Sequence, residues 1–239
     1  MVGTMARLHY LLGWGLALFT GMAASQGSFT VTPLRVDIAP KATGGVIEVI
    51  NTSAGTMTVQ AQQRAWVQLN GSDGQEDTRD LILSPAVFAL KPGEKQVVRI
   101  ALRGAPDARR ERAYRLLVSE LPNPQVSSTP VQSGFRIALR MDLPVFVAPL
   151  QPASSEPSYT FDPAASRLHV RNAGTAHIRF TDFKVMQAGR TVAELPVFTV
   201  LPGGERTFEL PRERVAAGEV RVQAQSNAGP VDAVLAAKR

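Results

Sequence analysis

Few residues in this chain are of a type that does covalent or metal chemistry. Its 239 residues include no cysteine, which removes a thiol nucleophile, a thiolate-held zinc or iron–sulfur site and any disulfide framework. Of the three histidines, His9 lies in a segment expected to be cut away. His169 and His177 fall in one predicted hairpin and read as half-exposed strand residues rather than as a metal pair. Asp73, Glu76, Asp77 and Asp80 crowd the loop after Asn70-Gly71. Such carboxylates can supply oxygen ligands to Ca²⁺, although a solvated hairpin tip is the simpler reading. No Gly-x-Ser-x-Gly elbow, His-Glu-x-x-His pair or glycine-rich phosphate loop occurs. The expectation is a non-enzyme that uses neither metal nor cofactor. An exported carbohydrate-active hydrolase would need paired carboxylates beside aromatic platforms, and one of the two tryptophans, Trp14, lies in the leader.

The chemistry on offer is that of a surface. In Phe135-Arg136-Ile137-Ala138-Leu139-Arg140-Met141-Asp142-Leu143 the odd positions are large and apolar while the even ones are Arg, Ala, Arg and Asp. Strict alternation buries one face of a strand and solvates the other. Either this is an ordinary core strand, or it is an edge whose apolar row is offered to another polypeptide by strand addition. Charge does not point elsewhere. The formal net charge of +6 falls to +5 once Arg7 leaves with the leader, and the remaining positive groups are mostly dispersed arginines. With 6% aromatic residues and no basic tail, no nucleic-acid partner is expected.

Strands must position these side chains. The N-terminus reads as an export signal, with Arg7 and His9 ahead of the apolar run Leu11 to Phe19 and with Ala23-Ala24-Ser25 meeting the small-x-small rule. Residues 1–25 are expected to be removed, and that run is too short to span a bilayer. No second run of that kind follows, so no membrane span is expected. From Thr30 onward short apolar stretches alternate with Gly and Pro turns, and helical periodicity is absent, which indicates β-sandwich architecture. Strands are expected from Val31 to Ile38, Val46 to Ile50, Thr56 to Leu69, Leu81 to Leu83, Val87 to Leu90, Gln96 to Leu102, Arg112 to Leu121 and Phe135 to Val147. The second half echoes the first. Val46 to Val59, with Asn51 and Gly55, is matched by Arg167 to Phe180 with Asn172, and Leu90-Lys91-Pro92-Gly93-Glu94 is matched by Leu201-Pro202-Gly203-Gly204-Glu205. Two sandwich domains are expected, 26–149 and 150–239, joined near Pro149-Leu150-Gln151-Pro152.

Pro33-Leu34-Arg35, Val49-Ile50-Asn51, Ala65-Trp66, Ser84-Pro85, Pro92-Gly93-Glu94-Lys95 with Val98-Arg99, Glu111-x-x-Tyr114, Glu120-Leu121-Pro122 and the alternating strand ending in Pro149 occur in that order. Together they resemble the periplasmic pilus (fimbrial) chaperones of the chaperone–usher pathway, the family typified by PapD. Leu143-Pro144-Val145-Phe146 looks closer to the archaic branch, whose pilins have spore-coat-U-like domains. The resemblance implies an all-β fold of two immunoglobulin-like β-sandwich domains in an L-shaped arrangement, without enzymatic activity, in the periplasm of a Gram-negative bacterium. It implies that pilus subunits are the partners, held by a donated strand carrying Phe135, Ile137, Leu139, Met141 and Leu143, and passed on to an outer-membrane usher. By match to the family's first-strand arginine, Arg35 would bind the subunit's C-terminal carboxylate, a task suited to a planar two-pronged donor.

Two departures from the family pattern follow. Pro144 stands where the family places a lysine, so Arg35 works alone or Arg140 or Arg115 substitutes, and the sequence does not choose between them. Ala148 replaces the family's inter-domain arginine, which leaves Glu111 without its usual partner. The competing reading is a secreted β-sandwich adhesin or structural pilus component, which a long free N-terminal extension would favour. Whether the free chaperone caps its own edge as a dimer is left open.

Overall fold

The computed structural model describes residues 29–121, 138–216 and 218–236, and every regular element in them is a strand. The first ten are β1 (Phe29–Thr32), β2 (Val36–Ile38), β3 (Gly44–Asn51), β4 (Met57–Leu69), β5 (Ser72–Asp77), β6 (Leu81–Ser84), β7 (Val87–Leu90), β8 (Lys95–Leu102), β9 (Arg112–Leu121) and β10 (Arg140–Val147). They build two facing sheets, one ordered β1-β3-β8-β6 and the other β2-β10-β9-β4-β5, with β7 also beside β4. Alternate residues of both sheets, among them Ile47, Val59, Ile100, Leu116 and Val145, close one apolar core.

Eight further strands follow: β11 (Pro157–Asp162), β12 (Arg167–Asn172), β13 (Ile178–Gln187), β14 (Arg190–Leu195), β15 (Phe198–Val200), β16 (Glu205–Glu209), β17 (Val220–Ser226) and β18 (Gly229–Leu235). Their sheets run β11-β12-β16 and β14-β13-β17-β18, with β15 on β13, around a second core rich in phenylalanine. Between the two cores lies a third, small cluster of Trp66, Phe146 and Leu201. The segment that links them is tied down, since the Leu150 and Gln151 N–H groups donate to the carbonyls of Asp107 and Ala108 at 2.9 and 3.0 Å.

The internal echo has a physical basis. Asn51, 1% exposed, donates from Nδ2 to the carbonyls of Gly55 and Leu90 at 2.8 and 3.0 Å, and its Oδ1 accepts from the Ser53 N–H at 2.8 Å. Asn172, fully buried, donates to the carbonyls of Ala176 and Val200 at 2.7 and 3.3 Å and accepts from the Gly174 N–H at 3.0 Å. In each sandwich the Pro-Gly turn closes on the backbone of that asparagine: Gly93 N–H donates to Asn51, and Asn172 N–H donates to Gly204. The two repeated motifs are therefore two halves of one corner, which satisfies buried backbone groups that no ladder reaches.

Three expectations are corrected. The single first strand is two: β1 pairs with β3 in one sheet, and after Pro33 β2 runs parallel to β10 in the other. Proline has no N–H to give a ladder and interrupts the strand there. The acidic stretch after Asn70-Gly71 is not a loop but β5, paired with β4 from Leu69↔Ser72 to Arg64↔Asp77. Asn70 and Gly71 both take positive φ, 53° and 76°, the geometry of a tight two-residue hairpin turn. Finally, His169 and His177 do not share a hairpin, because the chain crosses from the β12 sheet to the β13 sheet between them.

Candidate functional site

β10 is the element whose two halves differ. Along its whole length it pairs antiparallel with β9, from Arg140↔Ser119 to Val147↔Arg112. On its other side β2 covers only Val145 to Val147. From Arg140 to Pro144 that edge has no strand partner among the described residues, and Pro144 fits there because an edge tolerates a missing N–H.

The apolar row of this strand divides. Phe135 and Ile137 lie outside the described residues. Leu139 and Met141 are half-buried on the rim of the first core. Leu143 is 2% exposed and packs inside that core. Leu143, Val145 and Val147 all enter that core, and β2 flanks the strand only from Val145 on. Apolar residues at successive positions from Leu143 to Val147 are the sequence signal of that change.

The opposite face of β10 runs into a cleft between the sandwiches, with a volume of about 500 Å³. Pro144 and Phe146 line it together with Leu34, Arg35, Trp66 and Arg115 from the first sandwich, and Arg179, Phe198 and Arg206 from the second. Phe146, 3% exposed, is its floor. The His177 ring stacks on it with centroids 3.8 Å apart and planes 8° from parallel, and the Arg35 guanidinium lies 4.8 Å from its centroid. Arg35 grips the Asp37 carboxylate through Nε and Nη2 at 2.7 to 2.9 Å. Its Nη1 makes no hydrogen bond among the described residues. A guanidinium held in this way is already oriented for carboxylates.

The structure brings Arg115, not Arg140, to Arg35. Arg115 stands directly across from Pro144 in the β9–β10 register. Its guanidinium lies over the Trp66 ring at 3.5 Å, and Asp142 is 3.5 Å from Nη1. Burial pulls the affinity of this guanidinium for its proton down, while Asp142 and Asp73 oppose that change, and an arginine stays charged in either case. Arg140 is exposed on the same face as Pro144, farther up the strand, and does not line the cleft.

Glu111 has a partner in His177. Its Oε1 accepts from His177 Nδ1 at 2.7 Å and from the His177 N–H at 3.2 Å, and the Glu111 N–H donates to the Thr175 carbonyl at 2.9 Å. Both side chains are nearly inaccessible, 5% for His177 and 10% for Glu111. His177 is thus an inter-domain residue and not a half-exposed strand position. His169, by contrast, is half-exposed beside Glu205 and Thr207.

Nor do the acidic residues form a Ca²⁺ cage. They diverge: Asp73 and Asp77, on β5, bind elsewhere, Asp73 accepting from Trp66 Nε1 at 3.0 Å and pairing with Arg206 and Asp77 pairing with Arg64, while Asp80, between β5 and β6, accepts from the Tyr114 hydroxyl at 2.8 Å. No group of ligating side chains suited to a metal exists among the described residues. Asp73 instead joins the domains, alongside Gln68, which donates to the Thr199 carbonyl at 2.8 Å and accepts from the Leu201 N–H at 2.9 Å. At the hairpin tip the Thr207 N–H donates to the Gly71 carbonyl at 2.9 Å, and a Cβ on Gly71 would lie 2.2 Å from Thr207 Oγ1. Only glycine fits there. Gln68, Phe146, Arg179 and Arg206 were not legible as site residues, because contacts across a domain boundary leave no periodicity in either partner.

The protein-family model that matches the chain is that of the pili and flagellar-assembly chaperones, PapD N-terminal domain, over residues 28–153. No curated protein matches by sequence. Among solved structures, the chain is similar to one in the CsuC–CsuE chaperone–tip adhesion subunit pre-assembly complex from archaic chaperone–usher Csu pili of Acinetobacter baumannii. The TM-score is 0.66 at 19% identity, over 89% of this chain and all of that one. It is also similar to one in the Salmonella enterica complex of SafA pilin with the SafB chaperone, at TM-score 0.63 and 16% identity over 87% and 96% of the two chains. The E. coli chaperone DraB gives 0.58 and 20% over 89% and 98%.

Proposed function

Because the chain belongs to the PapD-like pili and flagellar-assembly chaperones, we propose that it holds pilus subunits in the periplasm by lending them a strand and anchoring their C-terminus. The observation that carries this reading is β10, without a strand partner along one edge from Arg140 to Pro144 among the described residues and leading directly into a cleft where Arg35 and Arg115 sit on neighbouring aromatic rings. A subunit strand added to that edge gains backbone hydrogen bonds worth about 0.5–1.5 kcal/mol net each. Leu139 and Met141, with Ile137 and Phe135 ahead of them, supply the apolar row, each side chain contributing about 1.5–3 kcal/mol when fully covered. No step requires an energy-rich cofactor.

The subunit's terminal carboxylate binds between Arg35 and Arg115, with Arg115 taking the place of the lysine that Pro144 displaces. Delivery to an outer-membrane usher and an export signal ending at Ser25 belong to the same reading. The archaic branch is the favoured subgroup, supported by the Leu143-Pro144-Val145-Phe146 strand end and the likeness to the Csu chaperone. A free edge of this kind also suits transient capping by a second copy.

A periplasmic pull-down with the tagged mature chain, Arg35→Ala and Arg115→Ala, read by mass spectrometry, tests it. Wild type is expected to capture a small β-rich pilin. Each substitution should weaken that capture by about 2–5 kcal/mol, the cost of removing one partner of a desolvated charge pair. Equal capture by all three variants refutes the anchor, and no pilin under fibre-producing conditions refutes subunit holding.

A further inference from the structure

Resting on the anchoring reading above, we propose that the inter-domain cleft selects subunits carrying an acidic side chain close to the C-terminus, and that Arg179 reads it. The cleft is lined by four arginines against one aspartate, Asp73. Three of the four already have a carboxylate: Arg35 has Asp37, Arg115 has Asp142 and Arg206 has Asp73. Arg179 has none among the described residues. One terminal carboxylate between Arg35 and Arg115 therefore leaves a positive charge on the facing wall unanswered.

The backbone that carries this charge is held in place. Arg179 stands opposite Thr199 in the β13–β15 register. Its backbone is clamped by Asn227 from both sides, the Arg179 N–H donating to Asn227 Oδ1 at 2.8 Å and the Asn227 N–H donating to the Arg179 carbonyl at 3.1 Å. Thr199 is fixed in turn by Gln68 from the first sandwich. Pro196, Val197 and Phe198 line the same cleft beside it, and Arg179 is exposed and open to a ligand entering there. Anchor and Arg179 lie on opposite walls, on different sandwiches, so a chain end fixed by its carboxylate passes its preceding side chains across the gap. A carboxylate side chain fits that wall, and an amide of the same shape does not answer its charge.

Fluorescence anisotropy with the full mature chain tests this. The probes are labelled alternating Val/Thr peptides bearing Asp or Asn next to the terminal residue, each with a free or an amidated C-terminus. The Asp peptide is expected to bind about five-fold more tightly than the Asn peptide, the size of a single partly screened ion pair. That preference should shrink in high salt, vanish in Arg179→Gln and persist in part in Arg179→Lys, while Arg179→Gln keeps the preference for a free acid over an amide. Equal affinities for Asp and Asn peptides in the wild type, or a preference that survives Arg179→Gln, overturn the proposal. If free acid and amide bind alike, the anchor at Arg35 and Arg115 fails instead, and the Asp–Asn comparison still decides Arg179.

Discussion

The two sandwiches close in the same way and end differently. Each folds a buried asparagine against a Pro-Gly turn, Asn51 in the first and Asn172 in the second, with matching donor and acceptor sets. In the first, β10 extends past β2 and leaves the Arg140 to Pro144 edge without a described partner. The corner is scaffold and the edge is where the two copies part. A repeated framework can keep its closing device unchanged because the device serves only its own core, whereas in the proposed reading the overrunning edge serves another chain.

The largest expected effect breaks this comparison inside β10 itself. Leu143→Ala removes a fully buried side chain and is expected to cost about 2–5 kcal/mol, read as a lower urea midpoint of the first sandwich. Leu139→Ala, on the half-buried rim, should cost about 1 kcal/mol and yet weaken subunit capture more than its stability loss accounts for. If the two substitutions scale stability and capture alike, the division of the strand into a core half and an offered half is wrong.

A smaller pair of substitutions sharpens the likeness. Asn51→Ala and Asn172→Ala each remove two side-chain hydrogen bonds from a buried amide to backbone carbonyls, which costs about 1–3 kcal/mol. The two losses should agree to within about 0.5 kcal/mol, a margin set by typical context effects, and each should lower only the melting transition of its own sandwich. Costs that differ by more than this, followed by calorimetry, would show that the corners are alike in sequence but not in load.

Most of the sandwich framework was legible because strand periodicity and turn residues are local signals. The β9 span from Arg112 to Leu121 matches its expectation at both ends, and β4 differs by one residue at its start. The failures share one cause. The β1–β2 break depends on which sheet each half joins, β5 is held by its partner β4 in spite of acidic residues of low strand propensity, and His177 is buried by a domain it does not belong to. The site was half legible. Arg35 came from a motif, but that Arg115 and not Arg140 lines the same cleft needed the β9–β10 register, which no single-sequence pattern encodes.

The weakest expected contrast lies in two tyrosines, one in each sandwich. Tyr114 donates its hydroxyl to Asp80, whereas the Tyr159 hydroxyl is buried without a hydrogen-bond partner among the described residues. Burial raises both pKa values, with the Asp80 bond adding to it for Tyr114, and Tyr159 is pushed up to about 12. An unfolded tyrosine releases its proton near pH 10, so above that pH the unfolded state binds fewer protons than the folded one. Stability is whole below about pH 10 and falls as pH rises toward the folded values. Tyr159→Phe should blunt that alkaline loss in the second sandwich while leaving stability at pH 7 within about 0.5 kcal/mol, since no hydrogen bond is given up. Tyr114→Phe gives one up and should cost about 1 kcal/mol at pH 7. Urea melts of both variants at neutral pH and at about pH 11 separate the cases, and a neutral-pH loss in Tyr159→Phe equal to that of Tyr114→Phe would mean that the second hydroxyl is as well satisfied as the first.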